Sequence, residues 1–297
     1  MNTVDIQKLF SASWMRFKES YWFLVLTQIV FGLSLLAISG VAVLGGLALL
    51  GIDNAQELIA IGASQDPEAL ESLPSPELTA GMIAGFILLT IVVSFVFSYI
   101  FIGYTKLYIN IARMGSATIK DMFSASVRQL ISYVLASLML IIFFFLVYLA
   151  VSLVSGIIFT GLIIGGGASV GAIPVLSLLA LFVPLILVAF IFTWLAVRYA
   201  IYTQLIADNA VEGAFDSLKA SSQAVKGKFW IILAAIILIG LVSFVSSIVF
   251  GLVPLVGSLI YFVFVAPFIT LLGAMLYLQI VGEGAKMIED TATVEEA

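Results

Sequence analysis

The chain contains no cysteine and no histidine. The first absence excludes a disulfide framework and any thiolate metal site; the second removes the commonest metal ligand and the commonest general base. Charge is scarce too, with 10% of the 297 residues charged against 63% apolar, and the mean hydropathy is +1.25. A soluble domain of this length could not carry that much apolar surface, so the composition describes an integral membrane protein. No P-loop, dinucleotide fingerprint or nucleophile elbow occurs. Gly165-Gly166-Gly167 lacks the Lys-Ser/Thr that a phosphate loop needs and reads as a flexible turn. The apolar runs hold no Asp, Glu, Lys or Arg at depth, which weighs against a proton- or ion-coupled transporter. No catalytic residue, metal site or cofactor is expected.

What charge there is falls in a sided pattern. After Lys8, Arg16 and Lys18, an apolar run from Tyr21 to Leu50 is about twice the length of a signal-peptide core and reads as an uncleaved first span. It exceeds the ~20 residues needed to cross, so it must tilt, break near Gly45-Gly46 or protrude. Gly51 to Ala80 carries Asp53, Glu57, Asp66, Glu68, Glu71 and Glu77, three prolines and no basic residue, as befits a loop on the far side. A second span returns from Gly81 to about Leu107. From Arg128 to Arg198 no charge interrupts the chain. Length alone would admit two spans or three, but three would move Arg198, Lys219, Lys226 and Lys228 across the membrane, so the positive-inside rule selects two. The connector from Gly165 to Pro174 is then a candidate re-entrant loop, tolerable only if packed against protein. A fifth span runs from Phe229 to about Leu252, a turn follows at Gly251, Pro254 and Gly257, and a sixth runs from about Ser258 to Val281. Six spans put both termini and all 12 Lys and Arg residues on one side, expected to be the cytoplasm.

Three amphipathic stretches precede the span pairs. In Met1 to Ser20, Ile6, Phe10, Trp14 and Phe17 share a face. A second begins near Thr118, which can cap with Asp121, and places Ile119, Met122, Phe123, Ser126, Val127 and Leu130 on its apolar side. The third, Asn209 to Trp230, is the strongest. Asn209 can cap with Glu212, Gly227 suits a left-handed C-terminal cap, and Lys226 and Lys228 suit the negative end of the helix dipole. Val211, Phe215, Leu218, Ser222 and Val225 fall on one side, Glu212, Asp216, Lys219, Gln223 and Lys226 on another. Placing residue 12 over 220 aligns Ala12-Ser13 with Ala220-Ser221, Lys18 with Lys226, and Tyr21-Trp22 with Phe229-Trp230. Phe123 to Ser126 repeats Phe10 to Ser13 letter for letter, and the exits Tyr104 to Leu107, Tyr202 to Leu205 and Tyr277 to Ile280 correspond. Units with an even number of spans repeat in parallel. The expected fold is therefore all-α and integral to the membrane, with six transmembrane helices as three parallel-repeat hairpins, each preceded by a cytoplasmic amphipathic helix. The units fall at about 1–113, 114–207 and 208–285 of a single domain, with a flexible acidic tail at 286–297. Mitochondrial carriers also have three two-span units, but their P-x-[DE]-x-x-[KR] signature is absent.

The third stretch resembles a prokaryotic family of six-span proteins, the membrane domain found fused to some glycerophosphoryl diester phosphodiesterases and also standing alone in inner membranes. Its pattern is roughly A-L-x-x-S-x-x-L-x-x-G-x-F-W after an acidic residue. Leu218, Ser221, Gly227, Phe229 and Trp230 fit, with Glu212 upstream, while Ser217 and Ala224 stand where Ala and Leu are expected. The resemblance implies a six-span fold in a prokaryotic inner membrane and no activity, since the phosphodiesterase chemistry of fused relatives belongs to a separate histidine-containing domain.

The sequence reading is thus a non-enzymatic membrane protein that organises lipid or partner proteins through its cytoplasmic helices. The alternative is a permease-like protein with an uncharged pathway between hairpins. The expected contacts for anionic lipid or a partner are Arg198, Lys219, Lys226, Lys228 and Trp230. Arg198 stands out because the exit alignment places it about a turn deeper than Lys106; snorkelling to headgroups and ligand binding both remain open roles. Membrane lipids are the expected partners, other membrane proteins are an open class, nucleic acid is not expected, and oligomeric state is not legible.

Overall fold

The computed structural model describes residues 4–49, 80–165, 173–253 and 256–282. The acidic segment up to residue 79, the connector at 166–172, Pro254 and the acidic tail lie outside them. The described residues are helical and contain no strand. In chain order they form α1 (Ile6–Leu49), α2 (Ala80–Met114), a 3-10 turn (Ile119–Phe123), α3 (Val127–Gly165), α4 (Ile173–Arg198), α5 (Tyr202–Ala207), α6 (Ala214–Val225) and α7 (Phe229–Gly251). The last helix, α8, covers Val256–Val281 and widens to π-helical turns at Tyr261–Val265, just before Pro267, which has no N–H to return to the preceding turn. Six of these helices are long and apolar enough to cross a membrane, and the chain is a multi-pass membrane protein by that measure. Between residues 127 and 198 the described residues form two long helices, not three.

α1 does not break at Gly45-Gly46. It is 44 residues of uninterrupted helix, about 66 Å long at 1.5 Å per residue, and so protrudes well beyond a ~30 Å hydrocarbon core. The glycines serve close packing instead: Gly45 and Gly46 lie against Leu89 and Phe86 of α2, and Gly85 lies against Leu49. At the other end the Ser20 hydroxyl donates to the Gly115 carbonyl at 3.3 Å, so α1 and α2 run antiparallel along their shared length. α3 likewise packs on α4 and α7 on α8, while α1, α2 and α8 pack against one another.

The first amphipathic stretch is therefore not a separate helix; with no glycine or proline between Ile6 and Phe31, nothing stops α1 from continuing through it. Its buried stripe is Leu9, Ser13, Phe17 and Ser20 rather than the expected Ile6, Phe10, Trp14 and Phe17. Small Ser13 admits a close neighbour, while Trp14 stays half exposed against the rings of Phe17 and Phe268. The second stretch is not one helix either. Thr118 and Asp121 do pair as expected, the Thr118 N–H donating to Asp121 Oδ2 at 2.9 Å, but the helix so begun is a single 3-10 turn. A stronger start lies eight residues on, at Ser126. The Ser126 N–H donates to Gln129 Oε1 at 2.8 Å and the Gln129 N–H to Ser126 Oγ at 3.2 Å, a complete capping box that opens α3. Val127 and Leu130 thus belong to α3.

The packed core gathers at the end of the bundle that carries Arg113, Arg198 and Lys228, the basic end. It comprises the first half of α1 (Leu9, Leu24), the second half of α2 (Ile102, Leu107, Ile111), α5 (Leu205), the start of α7 (Ile232) and the second half of α8 (Leu271, Tyr277). The opposite halves of α1 and α2 expose Leu36, Val41, Leu44, Ile83, Ile87 and Leu88.

Candidate functional site

The third stretch departs from its expected start. Asn209 does not cap a following helix; it ends the preceding one, in the left-handed region at φ 55. Ala210 N–H donates to Leu205 O at 3.0 Å and Asn209 N–H to Ile206 O at 3.1 Å, the paired bonds of a Schellman motif closing α5. Asparagine tolerates this conformation because its short polar side chain replaces part of what glycine would offer. Glu212, left free of a capping role, pairs with Arg128 of α3 at 2.8 Å. α6 then opens from Gly213 and ends, as expected, at a left-handed Gly227 with φ 80.

The inward stripe of α6 is Ala214, Ser217, Ser221 and Val225, small residues that let the helix sit close on the bundle. Phe215, expected on the apolar side, is 68% exposed and lies instead on a flank shared with Lys219, Ser222 and Lys226 at helical spacing. That flank faces the end of α4. The Ser221 hydroxyl donates to the Arg198 carbonyl at 3.1 Å, satisfying an orphan acceptor of the last turn of α4. Arg198 Nε donates to Ser222 Oγ at 2.7 Å, and the guanidinium lies over the Trp194 ring, one turn earlier, at 4.8 Å from its centroid. Between them is a cavity of about 390 Å³ lined by Trp194, Arg198, Ser222, Gln223, Lys226 and Phe229 among others, none of them acidic.

Of the five expected contacts, the structure brings Arg198 and Lys226 together at this cavity. Lys219 is exposed on the same flank of α6 outside the cavity lining, and Trp230 is exposed next to Phe229, with ring centroids 5.4 Å apart. Lys228 does different work: its ammonium donates to the Ile280 carbonyl at 3.1 Å, capping the C-terminal turn of α8. Trp194, Ser222 and Gln223 were not read as site residues. The four-residue spacing of Trp194 and Arg198 at the end of an apolar run was the available signal for the first.

A second polar cluster joins three chain segments at the basic end. Arg113 makes a two-pronged pair with Asp208, Nη1 to Oδ1 at 2.8 Å and Nη2 to Oδ2 at 2.6 Å, and the hydroxyl of buried Tyr277 donates to Asp208 Oδ2 at 2.8 Å. It ties the ends of α2, α5 and α8 and holds the platform on which α6 lies. Comparison of the chain with protein-family models, with curated proteins and with solved structures finds no match.

Proposed function

We propose that this chain is a non-enzymatic membrane protein that gathers anionic lipid, and partner proteins held at the same surface, at the cytoplasmic face of a prokaryotic inner membrane. The observation that carries the reading is the division of α6: an inner stripe sealed on the bundle, and an outer flank that sets exposed Phe215 beside Lys219 and Lys226. An apolar ring that enters between headgroups and ammonium groups that meet their phosphates is how a helix holds to an anionic bilayer surface. Two consequences are measurable. Changing Lys219 and Lys226 to Gln removes about 1 kcal/mol of surface attraction each, so the anionic lipid loosely held around the purified protein should fall roughly thirtyfold in relative affinity, read by native mass spectrometry against phosphatidylglycerol or cardiolipin. Unchanged retention by the folded variant would reduce these lysines to topology signals. Lys228 is left intact in this test because its substitution would also uncap α8.

The three-hairpin plan belongs to the same proposal, supported by burial that keeps phase between the first and third units. At the offset that places residue 12 over 220, buried Leu9, Ser13, Phe17, Leu24 and Thr27 fall on buried Ser217, Ser221, Val225, Ile232 and Ala235. Outward-facing Trp22, 80% exposed, falls on Trp230, 74% exposed, as interfacial anchors would. The likeness of residues 209–230 to the six-span membrane-domain family accords with this plan. Sidedness has its own test. Cysteines placed at Glu71 and at Lys219 should be labelled from opposite sides of sealed vesicles by an impermeant thiol reagent, and labelling from one side would overturn the topology.

What speaks for a scaffold over a permease is how the polar groups of the spans are spent. Ser34, Thr90, Ser98 and Thr193 each donate to the carbonyl four residues earlier in their own helix. Buried Gln28 accepts from Tyr104 at 2.6 Å, and Tyr104 stands 3.5 Å from Thr270, joining α1, α2 and α8. The packed region between those helices is filled by Leu, Ile and Tyr. Phe17 of α1 joins that core, while Phe143, Phe145, Phe190 and Phe244 face outward.

A further inference from the structure

The cavity between α4 and α6 has features that a smeared surface charge would not need, and from them we infer a stoichiometric binding pocket for a phosphate monoester or diester, with Arg198 as its reading residue. The inference rests on the lipid-gathering proposal for this face and makes it specific. Arg198 is half-buried and held on two sides, its Nε fixed by Ser222 Oγ at 2.7 Å and its plane resting on Trp194 at 4.8 Å. That immobilises the fork before any ligand arrives, while the two Nη groups have no protein partner among the described residues. A fixed fork with both tines free is the donor geometry that matches two oxygens of a phosphate. Lys226 lines the same space and supplies a second positive charge, and the Gln223 amide supplies a further donor. A phosphate monoester has three terminal oxygens to share among the fork, Lys226 and the Gln223 amide, and a diester has two that can each accept more than one of these donors. The cavity is about 390 Å³, within the range of ~300–1,000 Å³ typical of small-molecule sites. The indole of Trp194 and the ring of Phe229 form apolar wall, suited to the glycerol and upper acyl carbons of a phospholipid.

The same chemistry could come from a lipid headgroup or from a soluble phosphate, and the experiment separates them. The full chain in an uncharged detergent is titrated with phosphatidic acid, phosphatidylglycerol and phosphatidylcholine, and occupancy is read by native mass spectrometry with and without millimolar inorganic phosphate. One tightly held phosphatidic acid or phosphatidylglycerol per chain is expected, with phosphatidylcholine weaker because its choline covers the phosphate. Arg198→Lys keeps the charge but loses fork and stacking, and should weaken that copy by about tenfold or more. Lys219→Gln removes a charge outside the cavity and should weaken it by less than about fivefold. Displacement by inorganic phosphate would support the pocket with the bare anion as sufficient ligand; retention against it would support the pocket with the lipid as source. Should Arg198→Lys prove unstable on heating, Ser222→Ala, which frees the fork without touching charge, takes its place and should weaken the copy about threefold or more. Wild-type affinity in Arg198→Lys or in its substitute, or an equal loss in Lys219→Gln, overturns the pocket and leaves general lipid gathering standing. Inorganic phosphate binding to the wild type, lost in Arg198→Lys, with no lipid retained would overturn lipid gathering and leave the pocket standing.

Discussion

Replacing Asp208 with Ala is expected to destabilise the protein by about 3 kcal/mol, a loss of the size measured when one partner of a largely buried, two-pronged ion pair is removed. The side chains of Arg113 and Asp208 are 30% and 15% exposed, enough shielding from water to lift this pair above the ~0–1 kcal/mol of an exposed one. The variant loses more than the pair. Tyr277 is fully buried and donates its hydroxyl to the same carboxylate, so the change also removes that hydrogen bond. Asp208→Asn keeps the shape and one acceptor, and should cost about 1–2 kcal/mol. The measurement is the unfolding midpoint in detergent, with Tyr277→Phe made singly and together with Asp208→Ala. Because both act on one network, the double change should cost less than the sum of the singles. A midpoint for Asp208→Ala within about 0.5 kcal/mol of wild type would show that the clasp does not hold the basic end together.

This clasp also marks where reading from sequence stopped. Six apolar runs and the left-handed Gly227 were legible because each is a local property, of length, composition or a glycine after a run of helix formers; the two-helix reading of residues 127–198 came from the sidedness of the flanking charges, since length there admitted two spans or three. The pair of Arg113 and Asp208 is 95 residues apart in the chain, and Asp208 to Tyr277 is 69, so no spacing rule reaches them. Where a local rule failed, another local rule had won. Asn209 followed three residues later by Glu212 satisfies the pattern of a helix start, yet asparagine is also second to glycine as a left-handed helix end, and α5 needed an end there. Ser126 and Gln129 matched the capping pattern as well as Thr118 and Asp121 did, and the later box opens the longer helix. At the candidate site, Arg198 and Lys226 were picked out singly as cations, but their meeting depends on α6 folding back on the end of α4. The small stripe of Ser217 and Ser221 allows that approach. Ser221 was read as a repeat mark and Ser217 as standing where the family pattern has Ala, and their burial gives both a physical reason: a larger residue at either place would push α6 away from Arg198.

A large effect of a small change is expected at Gly103. This glycine lies on α2 where the 3-10 turn crosses it, and a β-carbon built there would overlap the carbonyl oxygen and carbon of Met122. The obstruction is backbone rather than the end of a flexible side chain, so it cannot rotate away. Met122 is itself fully buried, which blocks retreat of the turn as a unit. One helical turn earlier on α2, the Tyr99 hydroxyl donates to the Phe123 carbonyl, tying the turn down next to the point of conflict. Gly103→Ala must then either bend α2 away from the turn or tear the turn off, and each route forfeits packing around Ile102 and Leu107. A cost of about 3–4 kcal/mol is expected, at or above the upper end for overpacking because backbone must move. The same substitution at Gly156, in the interior of α3 with no atom within 4 Å of a built β-carbon, should be neutral or stabilising by up to about 1 kcal/mol, since it gains helix propensity without a clash. The pair is compared by unfolding midpoint in one detergent, so that the general effect of adding a methyl group in a membrane helix cancels. Equal midpoints for the two variants would mean that the 3-10 turn does not sit on α2 at Gly103. The route by which α3 is delivered beside α2, and with it the placement of α5 and α6 at the basic end, would then need to be redrawn.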